Sequence, residues 1–149
     1  MAVLVDTCVL LRVFDTTAPQ YRDIRRGLRK LLDDDERIVV CVQNIAEFWN
    51  VCTRPLEQNG QGHEPIRAAR RVRLIEQFCE VLAEDIPSFE IWKQLCEKLA
   101  VSGVAVHDAR LVSVMLTRQV DRILTLNERD FRRYEAEGIS IVTPQAVVA

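Results

Sequence analysis

The sequence lacks the features that identify a membrane or secreted protein. None of its 149 residues fall in a run approaching the roughly 18 consecutive apolar residues of a membrane span. Residues 1–5 lead straight into an apolar stretch without a basic segment before it, so we expect no signal peptide. These absences predict a cytoplasmic protein that makes no membrane contact.

The sequence also lacks a strong net charge and any pairing of its cysteines. Its five cysteines, none in a Cys-x-x-Cys pair, are Cys8, Cys41, Cys52, Cys79 and Cys96. This spacing favours neither a disulfide framework nor a zinc site, and predicts small buried apolar side chains in a reducing compartment. The net charge of −2 gives no sign of a nucleic-acid-binding surface, although a cluster of catalytic acids would itself lower the total.

What the sequence does contain is a regular alternation of apolar runs and helical patterns over one expected domain, residues 1–149. The runs that we interpret as strands are 3–5, 38–42, 81–83, 123–126 and 139–142. Helical spacing of apolar residues predicts helices over 21–32, around 45–52, from about 65 to 78, over 88–101 and over 107–117. Strands separated by helices predict an α/β fold with a parallel sheet covered on both faces.

Acidic residues stand where such a fold would bind a ligand, beyond the carboxyl ends of the strands. Asp6 ends the first apolar run, and Glu47 lies five residues after the second. Asp108 opens a long apolar helix, and Asp130 follows the fourth run. Carboxylates are the ligands that hold Mg²⁺ or Mn²⁺, so these four residues are the candidate metal ligands and catalytic residues.

Hydrolysis of a phosphodiester needs a nucleophile derived from water and stabilisation of charge on the phosphoryl oxygens, and a divalent ion serves both needs. Asp6 and Asp108 are the first candidates for ligands. Glu47 is the third, and is also placed to act as a base towards the attacking water. Asp130 would complete the cluster directly or through water.

Each of these acids has a structural alternative. Asp6 could bind a neighbouring helix N-terminus, and Asp108 could cap its own helix. Glu47 could form a surface ion pair, and Asp130 could order the turn before Phe131. His107 beside Asp108 is more simply structural than a general acid. Supporting roles for Thr7 and Thr125, as hydrogen-bond donors to the acids or to a bound phosphate, stand beside the alternative of ordinary strand-end hydroxyls.

Four segments in order resemble one known family. They are LVDT at 4–7, NIAEF at 44–48, HDA at 107–109 and LTLNERDF at 124–131. Each segment alone is weak, but the four together, spread over nearly the whole chain, resemble a PIN domain and closely a bacterial toxin nuclease of the virulence-associated protein C (VapC) type.

The resemblance implies a three-layer α/β/α sandwich whose five-stranded parallel sheet has the order 3-2-1-4-5. It implies a Mg²⁺- or Mn²⁺-dependent endoribonuclease with Asp6, Glu47, Asp108 and Asp130 in the site. It also implies the toxin of a toxin–antitoxin pair, a homodimer, and an antitoxin whose basic residue enters the acidic site. Asn127 stands where many PIN domains carry an acid, and this neutral amide puts a second metal site in doubt.

RNA contacts are less determined by the sequence. Basic stripes occur on two predicted helices, at Arg22, Arg25, Arg26, Arg29 and Lys30, and at Arg67, Arg70, Arg71 and Arg73. They could meet phosphates or could be solvated helix faces. Arg12 and Arg118 could also approach the site.

Two other functions stay open at this stage. One is a catalytically idle PIN-like binding module, against which the complete acidic set argues. The other is a phosphatase or phosphoacceptor built around Asp6. The usual pattern of such enzymes needs a second acid at the position that Cys8 occupies.

Overall fold

The computed structural model describes all 149 residues, and its centre is a sheet of five parallel strands in the order β3-β2-β1-β4-β5. The strands are β1 Ala2–Val5, β2 Arg37–Cys41, β3 Glu80–Leu82, β4 Arg122–Leu124 and β5 Ser140–Val142. The helices are α1 Thr7–Val13, α2 Tyr21–Asp33, α3 Val42–Thr53, α4 Pro65–Phe78, α5 Ile86–Lys98, α6 Ala105–Thr117, α7 Glu128–Phe131 and α8 Pro144–Val148. Short 3₁₀ turns span Leu56–Gln58 and Arg132–Glu137. The predicted strand order and parallel sheet are confirmed.

Helices cover both faces of the sheet and give the predicted three layers. Because successive side chains of a strand point to opposite faces, Leu4 enters one apolar core and Val3 and Val5 enter the other. The Leu4 core is closed by α5 and α6, and the Val3 core by the helices α1 to α4. All four residues of β1 are buried, as expected for the central strand of a parallel sheet.

The helix α1 is an element that the sequence did not reveal. It begins at Thr7, one residue after β1 ends, and is only seven residues long. A helix this short is marginal by itself. Here the Asp6 carboxylate accepts a hydrogen bond from the Thr7 amide at its start, and Val9 and Leu10 are fully buried.

Several predicted boundaries were wrong by a few residues, and one of them has a clear cause. The predicted strand 38–42 ends at Cys41, and Val42 already belongs to α3, with 54% of its surface exposed. The Asn44 side chain accepts a hydrogen bond from the Cys41 amide at 2.8 Å, which starts the helix at this point. The strand expected over 123–126 ends at Leu124, and the helix expected over 88–101 spans Ile86–Lys98.

The sheet brings the loops that follow β1, β2 and β4 to one edge. Asp6 follows β1, α3 follows β2 without a break, and Thr125 follows β4. In a parallel sheet these carboxyl ends meet at the same edge. None of the helices is long and apolar enough to cross a lipid bilayer.

Candidate active site

Asp6 is held rigidly at the carboxyl edge of the sheet. Its side chain is only 7% exposed. One carboxylate oxygen accepts a hydrogen bond from the Thr7 amide at 2.8 Å, and the other from the Thr125 hydroxyl at 2.7 Å. The Thr7 contact caps α1, so the structural alternative is also true of this residue. Burial raises the Asp6 pKa above its ordinary value, while the Thr125 and Thr7 hydrogen bonds oppose the rise.

Glu47 is the sixth residue of α3, because this helix begins at Val42 and not around residue 45 as the sequence predicted. The Thr7 hydroxyl donates to one carboxylate oxygen at 2.9 Å, and the Gln43 amide group donates to the other at 2.7 Å. Asn44 in turn donates to the Thr7 oxygen at 3.1 Å. The carboxylate is therefore oriented by two uncharged side chains, and the alternative of a surface ion pair is wrong.

Asp108 is the fourth residue of α6 and does not cap it, because the helix is preceded by Val104 at the cap position. The pKa of Asp108 is raised to about 7, first by burial and then by the negative charges of Asp6, Asp130 and Glu47, with Arg133 opposing. Since the other three acids all act on it, the fold brings the four predicted carboxylates into one electrostatic cluster.

Asp130 forms the outer part of this cluster. It is exposed on the short helix α7, and its side chain makes no hydrogen bond within the chain. Asn127, just before α7, is also exposed, and its backbone amide donates to the Thr125 hydroxyl at 3.0 Å. Thr125 therefore links this loop to Asp6, which is the supporting role considered for it.

The donors of the cluster fit a hard divalent cation, although the side chains as placed do not enclose one. No three His, Cys, Asp or Glu side chains lie close enough together to share an ion, so the convergence expected from the sequence is incomplete. Mg²⁺ requires no such cage, because it keeps several waters and binds through one or two carboxylates. Burial is the first cause of the raised Asp108 pKa, and the charges of the neighbouring acids are the second, a repulsion that a cation would relieve.

Sequence reasoning missed three residues of the site. Gln43 and Asn44 orient Glu47 as described, and the Cys8 thiol donates to the Asp6 carboxylate at 3.5 Å. All five cysteines are free, as expected. Burial, followed by the Asp6 charge, raises the Cys8 pKa to about 11, so the thiol stays protonated. A glutamine four residues before a glutamate on one helix was a signal for Gln43.

The isolated arginines that were candidates for RNA contact make structural contacts. Arg12 donates to the Cys8 carbonyl at 2.9 Å, and Arg118 donates to the Ala83 carbonyl at 3.0 Å. In the basic stripes, Arg71 lies over the Phe14 ring at 5.2 Å and Arg25 over the Tyr21 ring at 5.6 Å. These contacts favour the structural alternative for those four residues.

Comparison with solved structures shows the same fold in bacterial toxin–antitoxin proteins. VapBC-1 of nontypeable Haemophilus influenzae superposes with a TM-score of 0.72 at 12% identity, covering 97% of this chain and 98% of that chain. FitAcB of Neisseria gonorrhoeae gives a TM-score of 0.70 at 18% identity, with 95% and 97% covered. VapC20 of Mycobacterium tuberculosis, described as a sarcin-ricin-loop-cleaving toxin, gives 0.61 at 15% identity, with 93% and 96% covered.

Comparison of sequences gives the family. No curated protein sequence matches the chain. The PIN domain family, however, matches residues 3–137, a span that includes all four carboxylates, most of β1 and all of β2, β3 and β4. The chain belongs to the PIN domain family.

Proposed function

We propose that this protein is a metal-dependent endoribonuclease that hydrolyses RNA phosphodiester bonds. The observation that carries the proposal is the cluster of Asp6, Glu47, Asp108 and Asp130 at the carboxyl edge of a PIN-family sheet. A binding module without catalysis has no evident use for four acids that repel one another. Such repulsion is the usual mark of a functional site.

In this proposal Asp6 and Asp108 hold Mg²⁺ or Mn²⁺, and Asp130 contributes directly or through water. When bound, the ion supplies positive charge that stabilises the phosphoryl oxygens and makes water a better nucleophile. Asp6 brings a carboxylate whose orientation is fixed by Thr7 and Thr125. That fixed geometry reduces the reorganisation required when the substrate arrives.

Glu47 is the proposed base. Its two oxygens receive hydrogen bonds from Thr7 and Gln43, which orient the carboxylate while leaving further lone pairs for a water molecule. From there Glu47 would accept a proton as water attacks the phosphorus. Thr7 contacts both Asp6, through its amide, and Glu47, through its hydroxyl, so it holds the two acids in a fixed relation.

We further propose that the nuclease is the toxin of a toxin–antitoxin pair. The similar folds include a toxin–antitoxin complex from Klebsiella pneumoniae and VapBC2 of Rickettsia felis bound to a DNA fragment from its promoter. We infer an antitoxin partner and a homodimer for this chain as well. Exposed apolar side chains support association, among them Trp49 at 37% and Ile66 at 57% exposure. Sedimentation showing only monomer at tens of micromolar would count against the dimer.

Cleavage of labelled RNA by the purified protein tests the activity. We expect cleavage with Mg²⁺ or Mn²⁺ and none with excess EDTA. The Asp6→Asn protein, prepared identically, serves as the control for contaminating nucleases. Cleavage that continues undiminished in chelator, or equally in the Asp6→Asn preparation, would contradict the mechanism.

A further inference from the structure

A large cleft opens beside the acid cluster, between α3 and α6. Its volume is about 830 Å³, which lies in the range of about 300–1,000 Å³ typical of ligand sites. Glu47 forms part of its wall, so the cleft begins where the proposed chemistry takes place. The polar residues that line it, apart from Glu47, are Gln43, Asn50, Arg54, Glu84, His107 and Arg110.

Two hydrogen-bonding groups in this wall have no partner within the chain, and a third is held only by an exposed ion pair. The Arg54 Nε is buried and has no partner, although another nitrogen of the same guanidinium donates to the Asn59 carbonyl at 3.1 Å. The Asn50 side chain is exposed and makes no hydrogen bond within the chain. Arg110 is paired with Glu84 at 2.8 Å, but the two side chains are 39% and 41% exposed. Exposed pairs of this kind contribute little, so a ligand anion can replace Glu84 at low cost.

The chemistry of the wall selects the ligand. Guanidinium groups bind phosphate oxygens with good geometry, and amide side chains can donate to and accept from the edges of bases. No Phe, Tyr or Trp lines the cleft, and the His107 imidazole is the one aromatic ring in its wall, so hydrogen bonds would provide most of the contacts to bases there. Two helices wall the cleft, which suits a single strand with accessible base edges better than a duplex.

We propose that the cleft between α3 and α6 binds the single-stranded RNA next to the scissile bond, with Arg54 and Arg110 contacting phosphate and Asn50 contacting a base or sugar. This inference rests on the proposed nuclease function, because Glu47 marks the end at which the bond is cut. Arg54 lies seven residues beyond Glu47, roughly 10 Å along the helix at 1.5 Å per residue. Arg54 would therefore contact the RNA strand beside the acid cluster, and not at the scissile bond itself.

Binding of fluorescein-labelled single-stranded RNA of mixed sequence, followed by anisotropy in EDTA, tests the proposal without cleavage. Asn50→Asp is the cleanest variant, because the native side chain has no partner to lose and the new charge repels phosphate. We expect it to weaken binding by roughly 3- to 10-fold. Its matched control is Gln77→Glu, which adds the same charge at an exposed position near the end of α4, and should leave binding unchanged.

Arginine variants provide a second measurement. Arg54→Met and Arg110→Met should each weaken binding several-fold and reduce the slope of log affinity against log salt by about 0.7. Arg37→Met, at the start of β2 on the opposite edge of the sheet, is the control and should match the wild type. Thermal melting of every variant shows whether loss of the Arg54 contact with Asn59 has loosened the fold.

The outcomes separate this inference from the proposed function. Weaker binding by Asn50→Asp, with an unchanged control, supports the cleft even if the wild type never cleaves RNA. Wild-type cleavage together with unimpaired binding by Asn50→Asp and both arginine variants overturns the cleft alone. An equal loss in Gln77→Glu also overturns it, since the basic face of α4 would then be the binding surface. A wild-type protein that neither binds nor cleaves RNA overturns both proposals.

Discussion

Acidic side chains have different charged neighbours at the two edges of the sheet, where the parallel strands begin and where they end. At the amino edge two acids, Glu80 and Glu36, lie against cations. Glu80 pairs with Arg37 at 2.7 Å, and Glu36 pairs with Arg122 at 2.6 Å and with the N-terminal amine at 3.7 Å. At the carboxyl edge the charges of Asp6, Glu47 and Asp130 all act on Asp108, and Arg133 is the cation that opposes them.

Acids that are paired with cations, as at the amino edge, are compatible with a stable fold, whereas acids that repel one another, as at the carboxyl edge, oppose it. The Arg37–Glu80 pair is solvated, and pairs of this kind change the free energy of unfolding by about 0–1 kcal/mol. The Arg122–Glu36 pair is more buried, and each of its charges is neutralised by the other. At the carboxyl edge the charges of Asp6, Asp130 and Glu47 add to the effect of burial in raising the pKa of Asp108, and so destabilise the ionised protein. A fold keeps such an arrangement where a ligand offsets the repulsion, and the ligand that we propose here is a divalent cation.

The largest expected effect comes from removing carboxylates at the carboxyl edge. Asp6→Asn and Asp108→Asn each keep the shape of the side chain and remove one ligand charge, so each should lower the RNA cleavage rate by at least about 100-fold. Asparagine is also a good helix cap, so α1 should persist in Asp6→Asn. Glu80→Gln at the amino edge is the control and should cleave like the wild type. A carboxyl-edge variant with wild-type rates and melting is not a primary ligand.

A smaller loss of activity should follow from Gln43→Met. Gln43 is buried, and its amide nitrogen donates to Glu47 at 2.7 Å and to the His107 carbonyl at 2.9 Å. Methionine keeps the volume but cannot orient Glu47, so we expect kcat to fall by roughly 10-fold with KM nearly unchanged. Stability should change little, because the variant also removes the Gln43 oxygen, which is buried without a partner.

A double-mutant cycle gives the check on this role. If Gln43 acts through Glu47, Gln43→Met should cause no further loss in a protein that already carries Glu47→Ala. Additive losses would show that the two residues act separately.

The pH dependence of stability should also differ between the two edges. The Asp108 pKa is about 7 in the folded protein against 3.8 as its ordinary value, so the folded state binds more protons between these values. The metal-free protein should therefore lose stability as pH rises from about 4 to about 7. Asp108→Asn should reduce this slope, whereas Glu80→Gln should leave it unchanged. Thermal melting in EDTA at several pH values measures how stability changes with pH. Identical slopes in the wild type, Asp108→Asn and Glu80→Gln would show that Asp108 does not couple stability to pH.

The smallest effect concerns Asn127. A neutral amide there leaves fewer charges for a second cation, so titration of the free protein with Mn²⁺ should resolve one site. Asn127→Asp should strengthen a second site, by at most about tenfold because the position is exposed. Two equally tight ions in the wild type would show that Asn127 does not limit metal loading.

The sequence predicted the sheet and its acids because both depend on local pattern. Apolar runs such as residues 3–5 and 38–42 are long enough to identify strands, and a parallel sheet collects their ends at one edge. It did not reveal α1, whose seven residues are held by the Asp6 cap and by burial in the core. Nor could it give the contact from Gln43 to His107, because the two residues lie 64 positions apart and meet only when α3 and α6 pack together.

Thermal melting with and without Mn²⁺ tests the central claim most directly. A ligand that binds only the folded state raises its stability in proportion to the logarithm of ligand concentration. We predict that millimolar Mn²⁺ raises the melting temperature of the wild type and of Glu80→Gln, and that Asp6→Asn and Asp108→Asn lose most of this rise. An unchanged wild-type melting temperature, or an equal rise in all four proteins, would contradict a cation site at the carboxyl edge of the sheet.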